Sequence, residues 1–132
     1  MLLHPLAVHF PLALWLTSSF FDVLAWYRAD PLYRRAAYWL VGLGLLGALV
    51  SIAFGWIDLL NLEQEGVGTG VLLRHRLHSG LAYAATAAYA VNFEWRRRAQ
   101  DRLAGPLLVL SLVGAVLVGI TGYLGGQLRN VM

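Results

Sequence analysis

Four apolar stretches, parted by short polar segments, organise the 132-residue chain: roughly 6–27, 36–60, 77–93 and 106–124. Each is close to the ~20 residues that an α-helix needs to cross ~30 Å of hydrocarbon. No stretch displays a polar stripe at helical spacing, the pattern of helices that face lipid on one side and neighbours on the other. The third is the shortest and richest in Ala, and its helix is predicted to begin earlier, toward Val71. Asp30-Pro31 breaks the chain after the first stretch, and Gly105-Pro106 restarts it at the fourth, with Pro at a tolerated first-turn position. Gly66, Gly68 and Gly70 loosen the second connection. The prediction is an all-α membrane protein: one domain over 1–132, a bundle of four transmembrane helices with both termini on the same, outer side.

Charge sets the orientation. The connections after the first and third stretches carry Arg28, Arg34, Arg35, Arg96, Arg97, Arg98 and Arg102, whereas the opposite side carries Arg74, Arg76 and Arg129 beside Glu63 and Glu65. Basic residues in short loops favour the cytoplasmic side. The termini are therefore expected in the periplasm and the protein in a bacterial inner membrane. A cleaved signal peptide is a poor account of the first stretch. It lacks a basic n-region and a small-x-small cleavage site, and contains Pro5, Pro11 and Asp22.

Composition agrees with lipid as the solvent. Hydrophobic residues make up 59% and charged residues only 13%, where a soluble domain has about a quarter charged. All ten basic residues are Arg. The pI near 9.7 would suit nucleic acid, but Arg runs between apolar segments are membrane topology signals, and no nucleic-acid partner is predicted. With no Cys, disulfides, iron–sulfur clusters and thiol catalysis are excluded. No Ser-His-Asp, phosphate-loop or paired-carboxylate arrangement appears, so neither a hydrolase nor a transferase is predicted. No continuous file of ionisable residues crosses the bilayer, which argues against ion transport.

Helix counting gathers the candidate chemistry. The start of the first helix, the end of the second, the start of the third and the end of the fourth share one face. His4, His9, His75 and His78, all the histidines of the chain, lie there, with Asp58, Gln127 and Arg129. His9 and His78 each sit about one turn inside the interface, about 5 Å at 1.5 Å per residue. Matched imidazoles on two helices suit axial ligation of haem iron. His75 and His78, three apart, share a helical face. His4 and His9, five apart, diverge by about 140°, so His4 belongs either to the surface or to a second site with His75. Asp58 is a candidate orienter of an imidazole or a metal ligand itself, and Arg74, Arg76 and Arg129 are candidates to pair with haem propionates.

These residues predict a b-type cytochrome holding haem b between the first and third helices. It would exchange electrons with quinone or a periplasmic carrier, alone, as a homo-oligomer or within a larger respiratory complex. Two competing readings stay open: a Zn or Cu site on the same histidines and Asp58, and an accessory subunit whose interfacial histidines are simply solvated. Of the other intramembrane features, Asp22 is expected to pair with Arg34 or Arg35 or to anchor a helix end. Small residues at Gly44-Ala48, Gly47-Ser51-Gly55, Ser111-Ala115-Gly119 and Gly122-Gly126 predict close helix packing. Trp15, Trp26, Trp39, Trp56 and Trp95 are expected to mark the interfaces.

The opening His4-Pro5-Leu6-Ala7-Val8-His9-Phe10-Pro11-Leu12-Ala13-Leu14 resembles a bacterial membrane family catalogued as domain of unknown function 2231. So do Gly55-Trp56-Ile57-Asp58, a His opening the third helix, and Gly122-Tyr123-Leu124-Gly125-Gly126. The resemblance covers nearly the whole chain and implies four spans. His4, His9, Asp58, and His78 or His75 match the family's polar positions. After the double Gly, where many relatives continue with Val-Tyr and another His, this chain reads Gln127-Leu128-Arg129-Asn130.

Overall fold

The computed structural model describes residues 3–66, 68–99 and 105–131, and four helices account for nearly all of them: α1 (Leu3–Tyr27), α2 (Pro31–Gln64), α3 (Thr69–Ala99) and α4 (Gly105–Val131). Local chemistry sets the ends. Asp30 caps α2, its carboxylate accepting from the Leu32 amide at 2.9 Å, with Pro31 in the first turn. Past the end of α2, Gly66 adopts φ +70°, and its amide reaches back to the Glu63 carbonyl, a left-handed turn that glycine alone enters without cost. Both α2 and α3 are longer than the apolar stretches, and α3 starts even before Val71.

The helices run alternately up and down. α1 packs most extensively on α2 and α3 on α4, and the two hairpins close against each other through α1–α4 and α2–α3. Burial recurs at heptad spacing on every helix, as in bundles with knobs-into-holes packing. On α2 the buried positions are Ala37, Val41, Gly44, Ala48 and Ser51; on α4, Leu107, Ser111, Gly114, Val118, Thr121 and Leu128.

α3 departs from the expectation of featureless spans. Its inward face is His75, His78, Ala82, Ala85, Tyr89, Asn92 and Arg96, stepping three and four residues at a time, and all but Ala82 are buried. That is a polar stripe at helical spacing, and the Ala-rich remainder of α3 hides it from a count of apolar residues. Accordingly α1, α2 and α4 are long and apolar enough to cross a membrane, whereas α3 is long but too polar to qualify by composition.

Small residues set the closeness of the hairpins. A Cβ on Gly44 would run into the Trp15 indole, and one on Gly114 would lie 3.0 Å from the Tyr89 ring. Gly119 and Gly126 face open space, so the packing role expected of the α4 small-residue series holds at some of its members and fails at these two.

Candidate functional site

Alternating helices bring the start of α1, the end of α2, the start of α3 and the end of α4 to one end of the bundle, here the His end; the other is the Arg end. At the His end a cavity of about 60 Å³ lies between the hairpins. His4, His75, His78, Ser51 and Thr121 line it, and its floor is Trp15, Ala85 and Thr86. Its mouth lies between α2 and α3, where exposed Trp56 donates its indole N–H to the Tyr83 hydroxyl.

The imidazoles are oriented by backbone. His4 Nδ1 lies 2.8 Å from the Ser51 carbonyl on α2, and His78 Nδ1 lies 3.0 Å from the Thr121 carbonyl on α4. A carbonyl only accepts, so Nδ1 carries the proton in both rings, and in the neutral tautomer Nε2 is left bare to take a proton or a metal. Ligating histidines are commonly held in this way. Glycines make the room: a Cβ at Gly55 would lie 3.3 Å from the His4 ring, and one at Gly125 only 3.0 Å from that of His78. The ring centres of His4 and His78 are 6.0 Å apart at 87°, and those of His75 and His78 6.5 Å apart. His75 Nδ1 sits 3.3 Å from the Ser79 hydroxyl.

The pairing therefore differs from the expected one. His9 is exposed and its Nδ1 is bonded to the Pro5 carbonyl of its own helix, so it stands apart from the group, and His4 faces His78 instead. The register along α1 explains this. His4 lies eighteen residues, or five turns, from the buried Asp22 and shares its face, whereas His9 does not. Asp58 is half-buried and acts on His75 through its charge, but the His4 and His78 rings are oriented by carbonyls and not by this carboxylate. Arg74 and Arg76 are exposed. The side chain of Arg129, and the whole of Arg102, fall outside the described residues. Among the described residues, no three His, Asp or Glu side chains stand close enough to hold one metal ion.

A second polar group, unforeseen from sequence, lies toward the Arg end. Asp22 is fully buried and paired with Arg96 of α3, not with Arg34 or Arg35; both carboxylate oxygens take guanidinium bonds, Oδ1 at 2.7 Å from Nη1. Arg96 Nε also donates to Asn92 Oδ1. The Ser111 hydroxyl donates to Asp22 Oδ2 at 2.6 Å. Ser19 Oγ is 2.9 Å from Ser111 Oγ and 3.2 Å from the Tyr89 hydroxyl, which reaches the Trp15 carbonyl at 3.4 Å. Tyr89 also stacks on Trp15, ring centres 4.4 Å apart. The heptad of α3 was the available signal, since it places Asn92 and Arg96 on the face of His75 and His78.

A helical bundle with three lipid-suited helices and a polar seam shut inside defines a polytopic membrane protein. The chain belongs to the family described as predicted membrane protein (DUF2231), whose model matches residues 2–132. Comparison with curated proteins and with solved structures found no match.

Proposed function

We propose that the protein is a membrane electron-transfer protein that holds haem b at the His end, with His4 and His78 as the axial pair. The observation that carries this reading is the facing of these two Nδ1-anchored imidazoles across α1 and α3. An imidazole nitrogen lies about 1 Å from its ring centre and about 2 Å from a metal it ligates. Two rings on opposite sides of one ion are thus about 6 Å apart, which agrees with 6.0 Å for His4 and His78. Porphyrin iron would take two protein ligands, and His4 and His78 are the two whose rings backbone carbonyls hold. The haem would supply one-electron exchange. The chain supplies orientation through the Ser51 and Thr121 carbonyls, clearance through Gly55 and Gly125, and an apolar wall. A porphyrin needs more room than 60 Å³, so its entry would require α2 and α3 to part at the Trp56–Tyr83 contact.

A second reading, a Zn or Cu ion on His4, His75 and His78 with Asp58 nearby, is favoured by the small cavity, which has the volume of an ion and one or two waters. It requires the three imidazoles to close up, since zinc sites use three or four protein ligands.

By the distribution of Arg, the Arg end faces the cytoplasm of a bacterial inner membrane and the termini the periplasm. α3 serves as the fourth span because its polar face is enclosed by the other three helices. The exchange partner then meets the His end, as quinone in the bilayer or a periplasmic carrier.

The test is an absorption spectrum of the purified protein, oxidised and dithionite-reduced, after expression with ample haem, beside elemental analysis. A Soret band is expected, lost in His4→Ala and His78→Ala and kept in His9→Ala. No Soret band with stoichiometric Zn or Cu would establish the second reading, and neither would leave an accessory role.

A further inference from the structure

The His cavity ends at Trp15, Ala85 and Thr86. One turn beyond on α3, Tyr89 stacks beneath Trp15, and the hydroxyls of Tyr89, Ser19 and Ser111 continue from there to Asp22. The direction of these bonds follows from proton counting. Ser111 has a single hydroxyl proton and gives it to Asp22, so Ser19 donates to Ser111. The Ser19 proton is shared with the Ser111 carbonyl at 3.1 Å, so the bond between Tyr89 and Ser19 is given by Tyr89, whose hydroxyl also has the Trp15 carbonyl within reach at 3.4 Å. In this arrangement the three hydroxyls run toward the carboxylate that Arg96 pairs with. Beyond Asp22, Asn92 is fully buried, and its Nδ2 has no acceptor among the described residues, a group that a water entering from the Arg end would satisfy.

We propose that Tyr89, Ser19, Ser111 and Asp22 form a proton relay joining the floor of the His cavity to the Arg end, an activity that does not depend on which cofactor the histidines carry. A hydronium ion of the cavity that passes the Trp15–Ala85 floor would give one proton to the Tyr89 oxygen as the phenol's own proton goes to Ser19. Ser19 passes its proton to Ser111, and Ser111 passes its own to Asp22 Oδ2. Each hydroxyl gains one proton and loses one, only O–H bonds change, no electrons move, and the net result is one proton carried from the cavity to the carboxylate. From Asp22 the proton passes to water at the Arg end, beside Asn92, whose Nδ2 has no acceptor among the described residues. The Tyr89 hydroxyl also lies 3.4 Å from the Trp15 carbonyl, the longest contact of the series.

The experiment is proton flux into phosphatidylcholine–phosphatidylglycerol vesicles carrying the purified full chain and an internal pH dye, driven by a valinomycin-set potassium potential. Wild-type protein should exceed protein-free vesicles, and Ser111→Ala should lower the excess about tenfold, with Ser111→Thr restoring it. Tyr89→Phe, which keeps the ring and removes the hydroxyl, should do the same as Ser111→Ala and serves if that variant does not fold. Flux no greater than in protein-free vesicles, or flux untouched by both variants, overturns the relay and assigns the network to packing alone. A missing Soret band with flux that falls in Ser111→Ala would remove the haem and leave the relay standing.

Discussion

Asp22 is the residue on which most of the buried polarity depends. Its carboxylate is fully buried and receives Arg96 and Ser111. Removing it would leave a guanidinium enclosed without a counter-charge, and breaking a buried pair on one side costs about 3–5 kcal/mol. Asp22→Ala is therefore expected to lower unfolding free energy in detergent by that order. Asp22→Leu combined with Arg96→Met should recover much of it, because an apolar pair leaves no orphan charge. A double mutant no more stable than the single would refute that account. Exposed charges follow a different rule. Glu94, beyond the apolar stretch of α3, takes bonds from Arg97 and Arg98, which hold its carboxyl at about 2 against an ordinary 4.5. Its folded value is depressed, so its contribution is present above pH 4.5 and fades as pH falls through 2. Titration of the Glu94 carboxyl by NMR in micelles, with and without Arg97→Gln, checks the direction: the substitution should raise its midpoint.

Among the elements, α3 is the one whose character the neighbours decide. Its outer side is Ala-rich and its inward side carries two histidines, a tyrosine, an asparagine and an arginine, so it needs α1 and α4 to satisfy that face. The α3–α4 contact is set where Tyr89 meets Gly114, at 3.0 Å from a would-be Cβ. Gly114→Val should therefore lower Tm in detergent, an overpacking cost of about 1–3 kcal/mol. Gly119→Val, where nothing lies within 4 Å, should leave Tm almost unchanged or raise it slightly through helix propensity. Equal effects at the two sites would mean that helix propensity, not packing, governs α4. The two glycines are five residues apart on one helix; Gly119 belongs to a small-residue series in the sequence and packs on nothing, whereas Gly114, outside every such series, meets Tyr89.

At the scale of the molecule, the polar groups are arranged as two clusters within one apolar shell, imidazoles at one end and an ion pair toward the other, with the Trp15–Tyr89 stack between them. This division gives the bundle a direction. The Arg distribution predicts that the Arg end is cytoplasmic, and the chain has no native Cys to confuse a labelling experiment. Ala29→Cys, in the exposed turn before α2, should react with a membrane-impermeant maleimide only in inverted vesicles. Labelling in intact spheroplasts would reverse the assignment, and would put the His end on the cytoplasmic side.

Apolar run length and helix punctuation are local properties, and they determined the four helices, their alternation and the gathering of histidines at one end. Asp30-Pro31 and Gly66 acted where they stand because a cap and a left-handed turn involve only a few neighbouring residues. The choice among histidines was not local. It depended on rotation about α1, which follows from the need to bury Asp22 against Arg96, a partner seventy-four residues away, and that rotation turns His4 inward and His9 out. The inward face of α3 was legible as a heptad from His75 to Arg96 and was masked by the alanines around it. Which carbonyl orients which imidazole, and that three hydroxyls fall in line between Tyr89 and Asp22, only the tertiary structure decided. Each of those bonds joins separate helices at a distance set by the side chains packed between them.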